Sequence, residues 1–407
     1  MFQGFIYRIL VRRHFWRNAT FGEIAELYTA RMLRMTANAM IATFVAIYMF
    51  KNDYSLHFIA GYYVIYFLFK ALMAYPGAQI VARVGPKHAM LIANVVSIPS
   101  LIAFSFLDEI GIWALLTYTL CQGSSMTLYS IAHLVDFSKV KHDDNAGKEI
   151  GYMNIIDKIA AGISPLVGGL IAWLINPEVT MWVASVLLLL AAVPLFRTAE
   201  PVRLGQKLDF RGFPWAMAWR SMRAEVAVGI DSTAVMVIWP LFLASVVFMQ
   251  SGDVVYAQIG ALSAIAVFVG LIVSHVYGVL IDRKRGRELL ISTTALKSLT
   301  HLMRPFVVTP VSAVMTNVLN EVAAAGYAMA FMRGMFDLAD RTGHRIVYVL
   351  CIEAALNVGG VVASLVLFLA LTITTDAQIA LGATFIFAGI AILFIMSARF
   401  PIYRHSR

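Results

Sequence analysis

Cysteine is almost missing from this chain: Cys121 and Cys351 are the two in 407 residues, and both fall inside apolar runs, so no disulfide is expected. Charge is scarce too, at 14% of residues against 60% hydrophobic, which lies outside the range of soluble domains. No glycine-rich nucleotide loop occurs, and no soluble stretch is large enough for an ATPase, so ATP hydrolysis within the chain is excluded. No nucleophile–base pair or metal triad converges at one depth, which argues against an enzyme. His133 and Asp136 lie three apart on a helix, but two ligands without a third make no metal site, and no cofactor is expected. The first 29 residues lack a clean apolar core and a small-residue cleavage site, because Arg8, Arg12, Arg13 and Arg17 interrupt them. They suit an amphipathic segment on the inner membrane surface or a mobile basic tail.

What the chain has instead is apolar runs long enough to cross a bilayer core of about 30 Å. Twelve are expected, near 30–50, 57–81, 87–107, 111–135, 149–174, 178–196, 227–249, 255–281, 287–306, 309–335, 343–371 and 377–398. They lack the alternation and short length of barrel strands, so they are helices. Basic residues concentrate in alternate connections: Arg83 and Lys87; Lys139, Lys141 and Lys148; Arg197 to Arg211; Arg283 to Arg287; Arg333 to Arg345; and the C-terminal tail. The opposite loops carry Asp53, Asp108, Glu109, Glu178, Asp253 and Asp376, with Lys51 as the basic exception. This asymmetry places both termini in the cytoplasm, where the Asn18-Ala19-Thr20 sequon has no meaning. The net charge of +9 is spread over many loops, which fits lipid head groups and excludes nucleic acid. Short outer loops favour the inner (cytoplasmic) membrane of a prokaryote, and a monomer is expected.

The chain also repeats itself. Ala78 to Lys87 (AQIVARVGPK) is a blurred copy of Gly278 to Arg287 (GVLIDRKRGR), each at the inner end of an apolar run. Thr36-Ala37 parallels Thr233-Ala234. Tyr152 and Asp157 parallel Tyr348 and Glu353, and small-residue runs follow both. The expected organisation is an N-terminal segment (1–29), a six-helix bundle (30–196), a cytoplasmic linker (197–226), a second six-helix bundle (227–398) and a tail (399–407). Parallel halves of this kind fit a pseudo-twofold axis along the membrane normal.

On these residues the chain resembles the major facilitator superfamily over essentially its full length. The family's hinge pattern, Gly-x-x-x-Asp-Arg-x-Gly-Arg-Lys, is matched by Arg83, Gly85 and Lys87 in the first copy, where Ala78 and Ala82 replace the glycine and the aspartate. The second copy keeps Gly278, Asp282, Arg283, Gly286 and Arg287, with one extra residue before Gly286. Ser164 to Gly169 is similar to the Gly-Pro-x-x-Gly-Gly pattern of proton-driven exporters, through Pro165, Gly168 and Gly169; close helix packing explains these residues equally well. The resemblance implies an all-α fold of two six-helix bundles, alternating access, a small-molecule substrate and, most simply, proton coupling with a lean to export. It also implies that the hinge aspartate closes the inner gate, so Asp282 stands as the one retained latch, with Arg333 and the region of Lys148 as its partners.

Ionisable residues inside the membrane are the pointers to chemistry, since each costs roughly 2.5–3.5 kcal/mol on insertion scales unless paired or wet. The candidates for proton coupling are Lys70, Asp157, Glu321 and Glu353. In the resembled fold Lys70 meets Glu353 across the halves and His275 approaches Asp157, while static ion pairs are the alternative. Lys158 points to another face. Asn317, Asn320 and Glu321 share one helical face, and Thr117, Cys121, Ser125 and Tyr129 with Gln122 form a polar stripe; both are candidate substrate contacts. Lys297, His301 and Arg304 form a basic stripe, either packed with Glu321 or forming a route for an anion. Arg34 and Asp231 occupy equivalent places near the inner mouth, and Trp239-Pro240 marks a bend. A lipid or lipid-linked sugar flippase and a non-transporting scaffold or sensor are the alternatives of other classes.

Overall fold

The computed structural model describes residues 21–140, 146–196, 208–283 and 285–403. Among them the long helices run α1 Phe21–Lys51, α2 Leu56–Val84, α3 Pro86–Ser105, α4 Ile112–Val140, α5 Ala146–Leu174 and α6 Pro177–Ala192. The second series is α7 Trp215–Val247, α8 Val254–Asp282, α9 Gly286–Met303, α10 Pro310–Thr342, α11 Arg345–Ile373 and α12 Ala377–Ala391. No strand occurs among the described residues, as expected where no water exists to satisfy an open backbone. Nine of the helices are long and apolar enough to cross a membrane. The remaining three, α4, α9 and α10, are the ones diluted by polar residues such as Gln122, Ser125, Lys297, His301, Asn317 and Asn320.

Four helix starts on the face of the short acidic loops are capped by side chains. Ser55 accepts from Phe58 N–H, Asn176 from Val179 N–H, and Asp376 from Gln378 and Ile379 N–H. Thr309 and Ser312 form a reciprocal capping box. Each cap satisfies amides that the helix itself leaves free.

The largest differences from the sequence reading are two helix starts, besides later ends for α4 and α10. α1 begins at Phe21 rather than near residue 30, and the N-terminal stretch up to Thr20 lies outside the described residues. α7 begins at Trp215, twelve residues before the expected 227, so the end of the polar connection is helical. The reason is amphipathicity. Ala218, Ser221, Ala224 and Glu225 are buried, whereas Trp215, Met217, Trp219 and Arg220 are exposed, an arrangement suited to the membrane interface. Around Trp239-Pro240, α7 is wound as a π-helix on both sides, over Ala234–Ile238 and Leu243–Val247. A proline that gives no amide hydrogen bond and crowds the preceding turn favours such rewinding.

The halves meet along two helix pairs, α5 with α8 and α2 with α11. Glycine makes these approaches possible. A Cβ on Gly169 would strike the backbone of Tyr256 on α8, one on Gly260 the carbonyl of Pro165 on α5, and one on Gly360 the ring of Phe67 on α2. Gly168 faces the backbone of Met40 on α1. The helix-five residues Pro165, Gly168 and Gly169 therefore sit in close helix interfaces. On the side that carries the two hinge copies, one buried apolar cluster draws on helices of both halves. On the side of the short acidic loops two clusters form, each borrowing residues from the other half: Val237 and Leu241 in one, Phe44, Ile47 and Ala60 in the other.

The two hinge copies differ in structure as they do in sequence. In the first, Gly85 has φ +88°, Ala82 and Lys87 are buried and Arg83 is exposed. In the second, Arg287 donates to the carbonyls of Met396 (2.7 Å) and Ala398 (2.5 Å), which fastens the end of α12. Gly278 is buried and Arg283 exposed, and Gly286 lies under the Tyr403 ring, whose hydroxyl donates to Ala330 O at 2.8 Å. Asp282 is exposed at the last residue of α8, within electrostatic reach of Tyr403 as Arg333 is. Its other expected partner, Lys148, has a side chain outside the described residues.

Candidate functional site

Two cavities lie in the middle of the molecule between the halves. The first, of about 140 Å³, is bounded by Ala39 and Thr43 on α1, Lys158 and Pro165 on α5, Trp239 on α7, Ser263 on α8 and Asn317, Asn320 and Glu321 on α10. The second, of about 190 Å³, is bounded by Asn38 on α1, Tyr63, Tyr66, Phe67 and Lys70 on α2, Tyr118 and Gln122 on α4 and Ser232 on α7. Met236 lines both, so one flexible thioether side chain stands between them.

In the first cavity Lys158 donates to Glu321, joining α5 of one half to α10 of the other. Lys158 does point to another face of α5 than Asp157, as expected, and the expected pairing of Glu321 is corrected. Lys158 faces the cavity because α8 and α10 converge on that side of α5, and Glu321 is thereby taken from Lys297. Asn317 accepts from the Trp239 indole at 2.8 Å, so this tryptophan gives the cavity a polar contact as well as packing with Phe242 and Phe385.

Beside it, Asp231 anchors a closed polar network. Its carboxylate meets His301 Nε2 at 2.6 Å, Lys297 Nζ at 3.3 Å and the Tyr327 hydroxyl. Asn320 accepts from Lys297 (2.5 Å) and from Arg304 (2.9 Å), and Arg304 stacks over Trp239 at 4.8 Å. Asp231, Lys297, His301 and Arg304 are all at most 2% exposed. Asp231 is thus part of the core and not of an inner mouth. The basic stripe on α9 faces inward because an acid on α7 receives it. Asn320, expected to touch substrate, spends its carbonyl on this network.

The N-terminal half is built differently. Arg34 is 1% exposed, which again removes it from the mouth. It donates to Asn94 (2.6 Å), Ser125 Oγ (2.8 Å) and Ser125 O (3.3 Å) and stacks over Tyr129 at 4.1 Å. Ser125 and Tyr129 therefore serve Arg34, while Gln122 binds Ser97 and Ser100 and donates to Asn38 at 3.2 Å. Thr117 and Cys121, next on the same stripe, are half-buried, and both cysteines are free thiols. Asp157 is held by Arg31 through two bonds of 2.8 and 2.6 Å. The expected approach of His275 does not occur, because that imidazole sits on an exposed face of α8.

Lys70 and Glu353 are brought to opposite sides of the same interface but not into a salt bridge. Glu353 accepts from Ser130 on α4 at 2.5 Å and from Asn357 at 3.0 Å, while Lys70 lies over the rings of Tyr66 and Phe67. Burial among aromatic side chains and prior capture of the carboxylate keep the two apart, although their charges still interact. His133 and Asp136 are buried in the last third of α4. No group of three or more metal-binding side chains occurs among the described residues.

Several site residues escaped the sequence reading. Arg31 stands one helical turn before Arg34, and that spacing was a usable signal. Tyr62, Tyr63, Tyr66 and Phe67 recur at helical spacing on α2 and pack with Phe104 and Tyr118 into an aromatic wall. Glu225 is buried on α7, its Oε2 without a hydrogen-bond partner and its charge interacting with that of Glu353. It fell in the stretch read as linker.

A family model described as the Major Facilitator Superfamily matches residues 27–337. Among solved structures, the crystal structure of the human organic anion transporter MFSD10 (TETRAN) aligns with a TM-score of 0.65 at 12% identity, over 91% of this chain and 98% of that one. Likeness at that identity is likeness of fold. No curated protein matches the chain.

Proposed function

The chain belongs to the major facilitator superfamily, and from that premise we propose a secondary active transporter that moves a small organic solute by alternating access and is driven by protons. The observation that carries the reading is the central cavity crossed by the Lys158–Glu321 pair, one member from each half. When two halves rock about a midplane site, an ion pair within one half persists and an ion pair between halves must break. Asp157 is fixed to Arg31 inside the N-terminal half. Glu321 and Glu353 instead take Lys158 and Ser130 from across the interface. A carboxylate that loses a cation or a hydrogen-bond donor in a poorly solvated place gains affinity for a proton. Glu321 and Glu353 are therefore the coupling groups in this proposal, and Asp157 a static member.

The resemblance at Pro165, Gly168 and Gly169 implies export. A cytoplasmic membrane with both termini inside is the setting that the loop charges imply. One charge moved down 100 mV supplies about 2.3 kcal/mol, roughly a fifty-fold gradient of a neutral solute. The test is substrate-driven proton flux in proteoliposomes. Glu321→Gln and Glu353→Gln are expected to abolish or strongly reduce proton movement while leaving solute counterflow. Wild-type proton flux in both variants would remove the coupling assignment.

A further inference from the structure

The cavity beside α2 holds more positive charge than its surroundings neutralise. Lys70 lines it and is 8% exposed, yet among the described residues its ammonium makes no hydrogen bond or ion pair. The acid whose charge reaches Lys70 is Glu353. That carboxylate is already engaged by Ser130 and Asn357 and also faces the carboxyl of Glu225. Arg34, behind the same wall, touches Met126 of the cavity lining. Its hydrogen bonds go to neutral acceptors, and the groups acting on it electrostatically are the phenols of Tyr66 and Tyr129. The other cations nearby are matched, Arg31 by Asp157 and Lys158 by Glu321. Lys70 is reached by the charge of one acid that is already engaged, and Arg34 by none; two such cations withdrawn from water form an unfavourable arrangement unless an anion from outside completes it.

The rest of the lining fits such an anion. Asn38 lines the cavity and accepts from Gln122 through its carbonyl, which leaves its amide hydrogens to donate. Tyr63, Tyr66, Phe67 and Tyr118 form an aromatic wall around the same space. We infer that this cavity binds a monovalent organic anion with a flat apolar body, its carboxylate or sulfonate held by Lys70 and the Asn38 amide and its ring set against the tyrosines. This rests on the transporter reading above and names the class of its solute. The arrangement is typical of small-molecule sites, in which a mostly apolar lining carries a few convergent polar groups.

The test uses three probes that share a ring system and differ in charge: naphthalene-2-carboxylate, its neutral carboxamide, and naphthalen-2-ylmethylammonium. Binding is read as thermal stabilisation of the purified full chain in detergent, and transport as uptake of the labelled compounds into proteoliposomes. The carboxylate is expected to bind at least about tenfold more tightly than the amide, a gap typical of one well-placed charge contact. Lys70→Gln is expected to abolish that gap and Lys70→Arg to retain most of it. If Lys70→Gln fails to fold, Asn38→Ala decides, because it should weaken the carboxylate more than the amide. Equal binding of the amide or the ammonium by the wild type, or an intact anion preference in Lys70→Gln, overturns the inference; so does equal weakening of both probes in Asn38→Ala. Uptake of only the neutral or cationic compound sinks the anion class and leaves the transporter reading standing. Tight carboxylate binding without uptake supports the site and counts against transport.

Discussion

Arg34 on α1 and Asp231 on α7 occupy corresponding places in the two halves, and their surroundings differ in kind. Asp231 is enclosed by Lys297, His301 and Tyr327, so the C-terminal half balances its buried charge from its own side chains. Arg34 is held by an amide, a hydroxyl and an aromatic ring, and Lys70 on α2 is held by rings alone. One half has turned its membrane charges into a lock. The other pairs Arg31 with Asp157 but keeps Arg34 and Lys70 without a salt-bridge partner among the described residues. The repeated backbone thus supports two chemistries, and division of labour between the halves follows from which side chains find a counter-ion within their own bundle.

The largest expected effect comes from breaking the lock. Asp231→Asn leaves Lys297 and Arg304 buried without a carboxylate, which should destabilise the protein by about 3–5 kcal/mol. Arg34→Gln strands only neutral acceptors and should cost about 1–3 kcal/mol. Apparent Tm in detergent measures both. An equal loss in the two variants would erase the contrast between the halves.

The interface between the halves comes next. Gly169→Val would push a side chain into the Tyr256 backbone, where no rotamer change can relieve it. Overpacking of this sort costs about 1–3 kcal/mol. Here the strain falls between halves rather than within one, so solute flux should fall further than stability. The ratio of flux to apparent Tm in Gly169→Val, set against Gly359→Ala at the contact between α7 and α11 within one half, measures that distinction.

These expectations show what the sequence made legible. The all-helical membrane fold follows from local composition, which is why it could be read from the long apolar runs. Pairing could not. Lys158 and Asp157 do face different sides of α5, but only the packing of α1 and α10 against those sides gives each an opposite charge. Lys297 was matched with Glu321 by proximity in sequence order of the helices, whereas the acid that receives it, Asp231, lies on α7. Arg34 and Asp231, at equivalent places in α1 and α7, read as residues of the inner mouth, but burial depends on what packs around them. The start of α7 was missed because Arg220 and Arg223 read as linker charge. Their exposed face is the polar side of an interfacial helix turn.

A smaller effect separates ion pairs within a half from those across the interface. Glu321→Gln removes the cross-half partner of Lys158 in a partly wet cavity, with a stability loss on the order of 1–2 kcal/mol. Its main effect should be a shift in the balance of inward- and outward-open states, read by cysteine accessibility at Thr43 and Ser263. Asp157→Asn, which leaves Arg31 alone within one half, should lower stability by a similar amount without moving that balance. A shift in both would mean that the location of the pair is irrelevant.

The smallest effect is expected where the halves touch at the surface. Lys51 lies 3.8 Å from Asp253, and both side chains are substantially exposed, at 33% and 76%. Water screens such a pair and two long side chains lose freedom to hold it, so Lys51→Ala should change stability by no more than about 1 kcal/mol. It is nonetheless an ion pair between halves, like Lys158–Glu321, and so isolates location from burial. If crossing the interface were enough to govern opening, Lys51→Ala would shift the accessibility of Thr43 and Ser263 as far as Glu321→Gln does. No measurable shift at moderate ionic strength is the expected result, because the energy that distinguishes the two states must come from a contact that water cannot replace.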